Sequence, residues 1–62
     1  MPLFCYVHRR EGAVPYLEVV PEMGASALRR AAELLADRPD GVRAELWDGD
    51  RLIHVLEREG AA

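Results

Sequence analysis

The hydrophobic positions of this chain follow two different periods. Between Met23 and Pro39 apolar residues recur at about 100° per residue: Ala25, Leu28, Ala31, Ala32, Leu34, Leu35 and Ala36 share one broad arc. Ser26, Arg29, Arg30, Glu33 and Asp37 fill the rest. This is the pattern of an amphipathic helix with one core-facing side, written in strong helix formers. Pro39 disfavours helical geometry at Arg38, and Pro39-Asp40-Gly41 suits a type I turn. The start is softer: Gly24 or Ser26 is the candidate cap, with no Glu or Gln three residues beyond Ser26 to close a capping box. An apolar arc this wide and this small-sided predicts packing on something flat, such as a sheet.

On either side the pattern becomes that of strands. Leu3–His8 is a short apolar and aromatic run, Arg9-Arg10-Glu11-Gly12 a polar tip, and Ala13–Val20 a second strand. A type I turn with a glycine bulge at this tip pairs Arg9 with Ala13. Leu3, Cys5 and Val7 then lie beside Val19, Leu17 and Pro15, and the other face carries Phe4, Tyr6, His8, Val14, Tyr16 and Glu18. Pro15 cannot donate to a ladder, which puts this strand at an edge. Val42–Trp47 and Arg51–Glu57 alternate around Asp48-Gly49-Asp50 and make a second hairpin. A two-residue Gly49-Asp50 turn pairs Leu46 with Ile53 and Ala44 with Val55, leaving Trp47, Leu52, His54 and Leu56 on the opposite face. A bulged turn would slip the pairing and exchange the faces of one strand, because the side-chain period is two. Residues 58–62 read as a frayed tail.

The element order is thus ββαββ, one small α+β domain with a single helix on one face of a four-stranded sheet. The right-handed crossover rule and the edge position of the second strand favour a β-grasp-like order, 2-1-4-3, with strands one and four central and parallel. One helix covers one face. In these registers the uncovered face holds Phe4, Tyr6, Tyr16, Trp47, Leu52 and Leu56, which is much apolar surface for a soluble monomer: either the two faces are the reverse of this assignment, or a second copy or a partner covers this one.

Composition narrows the functional classes. A chain of 62 residues buries only roughly 60% of the surface it exposes unfolded, so its core is small. One cysteine excludes an intrachain disulfide, and no Cys/His spacing suits zinc. Self-association is the remaining source of burial. The first residues lack a signal-peptide pattern, no apolar run spans a bilayer, and a lone thiol suits a reducing compartment, so a cytoplasmic location is expected. The net charge of −3, from eight Arg, no Lys and eleven acids, opposes nucleic-acid binding as the main task, since such affinity rests on neutralising phosphates.

The segment Glu45-Leu46-Trp47-Asp48-Gly49-Asp50-Arg51-Leu52, within residues 31–56, resembles the final hairpin of a group of short uncharacterised bacterial proteins. Those have an N-terminal hairpin and an Ala-rich helix before it. The first half of the present chain matches in layout only, without the acidic helix start of that group. The resemblance implies the fold and no activity.

Candidate chemistry is sparse. Asp48-Gly49-Asp50 has the look of a calcium-loop fragment but lacks the remaining ligands, and turn chemistry explains it. His8 and His54 are an acid/base or ligand pair only if strands one and four are neighbours; half-exposed strand residues is the plainer reading. Cys5 sits mid-strand on the core side, with nothing to lower its pKa. Pro2, with Met1 removed, presents the proline amine used by small tautomerases similar to oxalocrotonate tautomerase. In those the first strand runs directly into a long helix, whereas here a hairpin intervenes. Arg9, Arg10, Arg29 and Arg30 have acids beside them and read as solvated faces. Tyr6, Tyr16 and Trp47 have the shape of a stacking platform, though a core or dimer contact accounts for them better. No cofactor or metal site is expected. The leading expectation is a non-enzymatic module that forms a homodimer, or meets another protein, through the uncovered face or an edge strand. A small enzyme or ligand binder using Pro2, His8 or His54 is the alternative, and a weak nucleic-acid binder the third.

Overall fold

A computed structural model describes residues 2–58. Strands β1 (Leu3–Arg9) and β2 (Tyr16–Val20) form the first hairpin, helix α1 (Gly24–Ala36) follows, and β3 (Gly41–Asp48) and β4 (Arg51–Glu57) form the second. All four strands join one sheet, and α1 packs on one face of it. The α+β, ββαββ reading of the sequence therefore holds.

The strand order does not. It is β2-β1-β3-β4, with every neighbouring pair antiparallel. β2 is at an edge and β1 is central, as expected, but β3 rather than β4 lies against β1. The connection explains the difference. In the favoured 2-1-4-3 order the chain leaving α1 would cross two strands and create a parallel pair, the slightly weaker kind. Here it crosses only β1. The short link after α1 is held to the end of β1, where the Arg10 amide donates to the Asp40 carbonyl and Arg9 Nε lies 2.8 Å from Asp40 Oδ2. β3 starts from that anchor. Its first residue, Gly41, is buried so tightly that an added Cβ would lie 2.8 Å from Val7 Cγ1.

Both hairpin registers depart from the expected ones by a single residue. The first tip turns on Glu11 and Gly12, which have φ of 61° and 72°, and the Ala13 amide donates to the Arg10 carbonyl. That is a two-residue turn of the kind suited to hairpins, in place of the three-residue turn predicted. The pairing becomes Leu3 with Val20, Cys5 with Glu18 and Val7 with Tyr16. Tyr16, Glu18 and Val20 therefore share the helix side, while Leu17 and Val19 face away. The second tip is the predicted two-residue turn, with Asp48 opposite Arg51 and Trp47 opposite Leu52. A bulge then intervenes, and Leu46 pairs with His54 and Ala44 with Leu56. His54 and Leu56 thus move to the helix side, and Val55 moves away from it.

The core consists of Leu3, Cys5, Val7, Val20, Ala44 and Leu46 from the sheet and Ala27, Ala31 and Leu35 from α1. Ala27, Ala31 and Leu35 lie four residues apart, one line along the helix. The buried stripe is narrower than the predicted arc and shifted from it: Ala27 joins it, while Ala25, Ala32 and Ala36 stay exposed. A straight helix on a sheet buries only the line that touches. α1 lies chiefly over β3, so its flank stands free beside β4.

The end of α1 is closed by a residue assigned to the frayed tail. Arg58 Nε donates to the Gly41 carbonyl at 2.6 Å, and Nη2 donates to the carbonyls of Arg38, at 2.7 Å, and Leu35. The guanidinium thereby ties the last turn of α1, through the Leu35 carbonyl, to the link and the start of β3, and its charge opposes the negative end of the helix dipole. Residues 59–62 of that expected tail lie outside the described residues.

Candidate functional site

The sheet face away from α1 is a grid with a gradient. Its first row runs Val19, Phe4, Trp47, Leu52 across all four strands. The second runs Leu17, Tyr6, Glu45, Val55, and the third brings His8 beside Arg43 and Arg43 beside Glu57. The face therefore passes from apolar, through aromatic with one carboxylate, to charged. Leu17 is 53% exposed, Val19 56%, Leu52 42% and Val55 38%, whereas Phe4, Tyr6 and Trp47 are half-buried.

Of the six residues predicted for this face, Phe4, Tyr6, Trp47 and Leu52 are on it. Tyr16 and Leu56 are not. Both are on the helix side, packed at the margin of the core, as a result of the two one-residue register changes. Tyr16 instead belongs to a latch at the end of α1. Its ring lies 4.1 Å from the Arg38 guanidinium and 4.7 Å from that of Arg9, a cation–π arrangement. Its hydroxyl donates to Asp40 Oδ2 at 3.2 Å. The Asp40 carboxyl is held below its ordinary pKa, chiefly by the Arg9 hydrogen bond, against a smaller opposing effect of burial and with help from Tyr16.

Glu45 is the centre of the open face, and the sequence reading missed it. Alternation on β3 was the available signal, since Arg43, Glu45 and Trp47 must share one side. Its side chain is only 18% exposed. Trp47 Nε1 donates to Glu45 Oε1 at 3.2 Å, and His8 Nε2 lies 2.9 Å from the same oxygen. The histidine contact is close but not aligned as a hydrogen bond, so His8 Nε2, like Arg43 Nε, has no hydrogen-bond partner among the described residues. Arg43 Nη2 is 3.4 Å from Glu45 Oε2. Burial pulls the Glu45 pKa up, but His8, Trp47 and Arg43 together pull it further down, so the carboxylate is kept ionised.

Around Glu45 lies a shallow trough of about 450 Å³. Tyr6, Trp47 and Pro15 form its walls, and His8, Glu45 and Asp50 supply its polar groups. It runs from the Pro15 and His8 end of the first hairpin toward the tip of the second.

The other candidates do not converge on this site. His54 pairs with Leu46 on the helix side, two strands away from His8 and on the opposite face, so the two histidines cannot share a proton or a metal. Cys5 is fully buried, and burial, then Glu18, pushes its thiol pKa up, the state of an inert core thiol. Pro2 is exposed ahead of β1, outside the trough. Among the described residues no cluster of three or more His, Cys, Asp or Glu could hold a metal ion. No helix of the described residues is long and apolar enough to cross a membrane. The chain matches no protein-family model, no curated protein and no solved structure.

Proposed function

We propose that this protein is a non-enzymatic interaction module that works through the open face of its sheet, in the first instance by pairing with a second copy. The observation that carries the reading is the Val19, Phe4, Trp47, Leu52 row and its neighbours Leu17 and Val55, a contiguous apolar surface over which no element of the described residues is laid. Its arrangement is that of a protein interface: aromatic anchors beside an apolar patch, with Arg and Glu toward one side. Among the described residues His8 beside Glu45 is the one acid/base pair in the trough, and no Ser, Thr or Cys lines the trough beside it.

A second surface for the same role is the outer edge of β4, where Ile53 is 42% exposed at the bulge and the strand has a free edge. Sedimentation equilibrium at micromolar concentration tests both. A dimer that Phe4→Ser dissociates and Ile53→Lys leaves intact supports the open face. The reverse result moves the contact to the edge. A monomer at every concentration, with Trp47 emission already that of a buried indole, would end the self-association reading.

A further inference from the structure

We infer that the trough on the open face is a binding site for an organic cation, and that its natural occupant is an arginine side chain of a protein partner. This rests on the open face being the working surface. Three observations point the same way. Two aromatic rings, Tyr6 and Trp47, form the walls, and a ring face attracts a cation laid over it, Trp most strongly. Two carboxylates, Glu45 and Asp50, line the same trough, and among the described residues His8 but no arginine lines it. Glu45 is kept ionised by its neighbours and retains acceptor capacity: a carboxylate offers about four lone-pair positions, and only Trp47 donates to it in aligned geometry. Two neighbours compete for the carboxylate, His8 with Nε2 2.9 Å from Oε1 and Arg43 with Nη2 3.4 Å from Oε2; their side chains are 30% and 41% exposed, so both can yield.

The shape favours arginine over a compact ammonium. A guanidinium is flat, stacks on an aromatic ring and can bind a carboxylate through two parallel hydrogen bonds. Its three-carbon stem is suited to apolar walls such as Pro15 and Trp47. The volume, about 450 Å³, falls within the range of small-ligand sites.

Trp47 is the only tryptophan and reports directly on the site. The dilute protein is titrated with N-acetylarginine amide, and in parallel with N-acetylcitrulline amide, its uncharged near-isostere, and with N-acetyllysine amide. The arginine compound is expected to change Trp47 emission saturably, with half-saturation on the order of 1 mM. Citrulline is expected to be at least about tenfold weaker, and lysine intermediate. Glu45→Gln is expected to weaken arginine binding about tenfold, and Asp50→Asn, at an exposed turn where folding is not at risk, by about threefold. Equal responses to arginine and citrulline, no saturation by 50 mM on the scale of about 1 mM set above, or unchanged binding in both variants would overturn the inference. Sedimentation of the same variants separates the two readings. Loss of the dimer without loss of arginine binding leaves the trough in place, and a dimer whose trough ignores arginine removes only this inference.

Discussion

The two faces of the sheet are built from the same strands with the same alternation, yet they are different materials. Leu46 and Trp47 are adjacent in β3. Leu46 points under α1 and is 1% exposed; Trp47 points to the open face, half-buried, with its indole nitrogen on Glu45. Among the described residues the helix side contains no buried polar or charged residue, and it is closed by small side chains that let α1 approach. The open side holds Phe4, Tyr6 and Trp47 and a partly buried carboxylate beside His8 and Arg43. A single helix on a four-stranded sheet forces this division. One face becomes the core, and the other is available for contact.

That contrast can be broken most directly at the Leu46–Trp47 pair. Leu46→Ala leaves a cavity in a small core and is expected to cost about 2–5 kcal/mol, much of the stability of a domain this size. Trp47→Ala is expected to cost only about 1–2 kcal/mol in the monomer while abolishing association. Urea unfolding of both variants, alongside sedimentation, checks the pair. Equal destabilisation would mean that the open face is part of the core.

Arg58→Ala tests the closure of the helix side. It leaves the carbonyls of Leu35, Arg38 and Gly41 without their shared donor, and a loss of about 1–2 kcal/mol is expected, with no change in association. Arg58→Lys, with a point charge but no fork, should recover part of it.

Acid should act on both faces in the same sense. Asp40 in the helix-end latch and Glu45 on the open face both have lowered carboxyl pKa values. A carboxyl whose folded pKa is depressed contributes stability that is present above its unfolded value and lost as pH falls through its folded value. Stability is therefore expected to decline from about pH 5 downward. Asp40→Asn should flatten that decline, as read from thermal melts across pH.

The smallest effect concerns the first tip. Glu11 occupies the left-handed region at φ 61°, where a residue with a long side chain is strained and Asn or Gly is not. Glu11→Asn should stabilise the hairpin by about 0.5 kcal/mol, measured by urea midpoint, without moving the register.

Much of the fold was legible in the chain. All four strands, the helix and its stop before Pro39, and the second turn at Gly49-Asp50 follow from local pattern and turn chemistry. The open-face position of Phe4, Tyr6 and Trp47 was legible too, because alternation on β1 and β3 is regular, and that of Leu52 because it pairs with Trp47 before the bulge. Tyr16 and Leu56 were misplaced for a specific reason. A hairpin face depends on whether the turn contains two residues or three and on whether a bulge follows. Glu11, a residue with no preference for positive φ, gave no sign that it would share the turn with Gly12. Nothing in Leu52-Ile53-His54 announces a bulge.

What the sequence by itself determined is therefore everything set by neighbours a few residues apart: the elements, their order along the chain and the alternation within each strand. What only the tertiary structure decided is everything that depends on partners far along the chain. That includes the order β2-β1-β3-β4, the faces of β2 and β4, the capping of α1 by Arg58, and the meeting of His8, Glu45 and Trp47 around one trough. The physical reason is the two-residue period of the strand. A shift of one position is nearly invisible to local pattern, yet it turns every side chain beyond it to the other face.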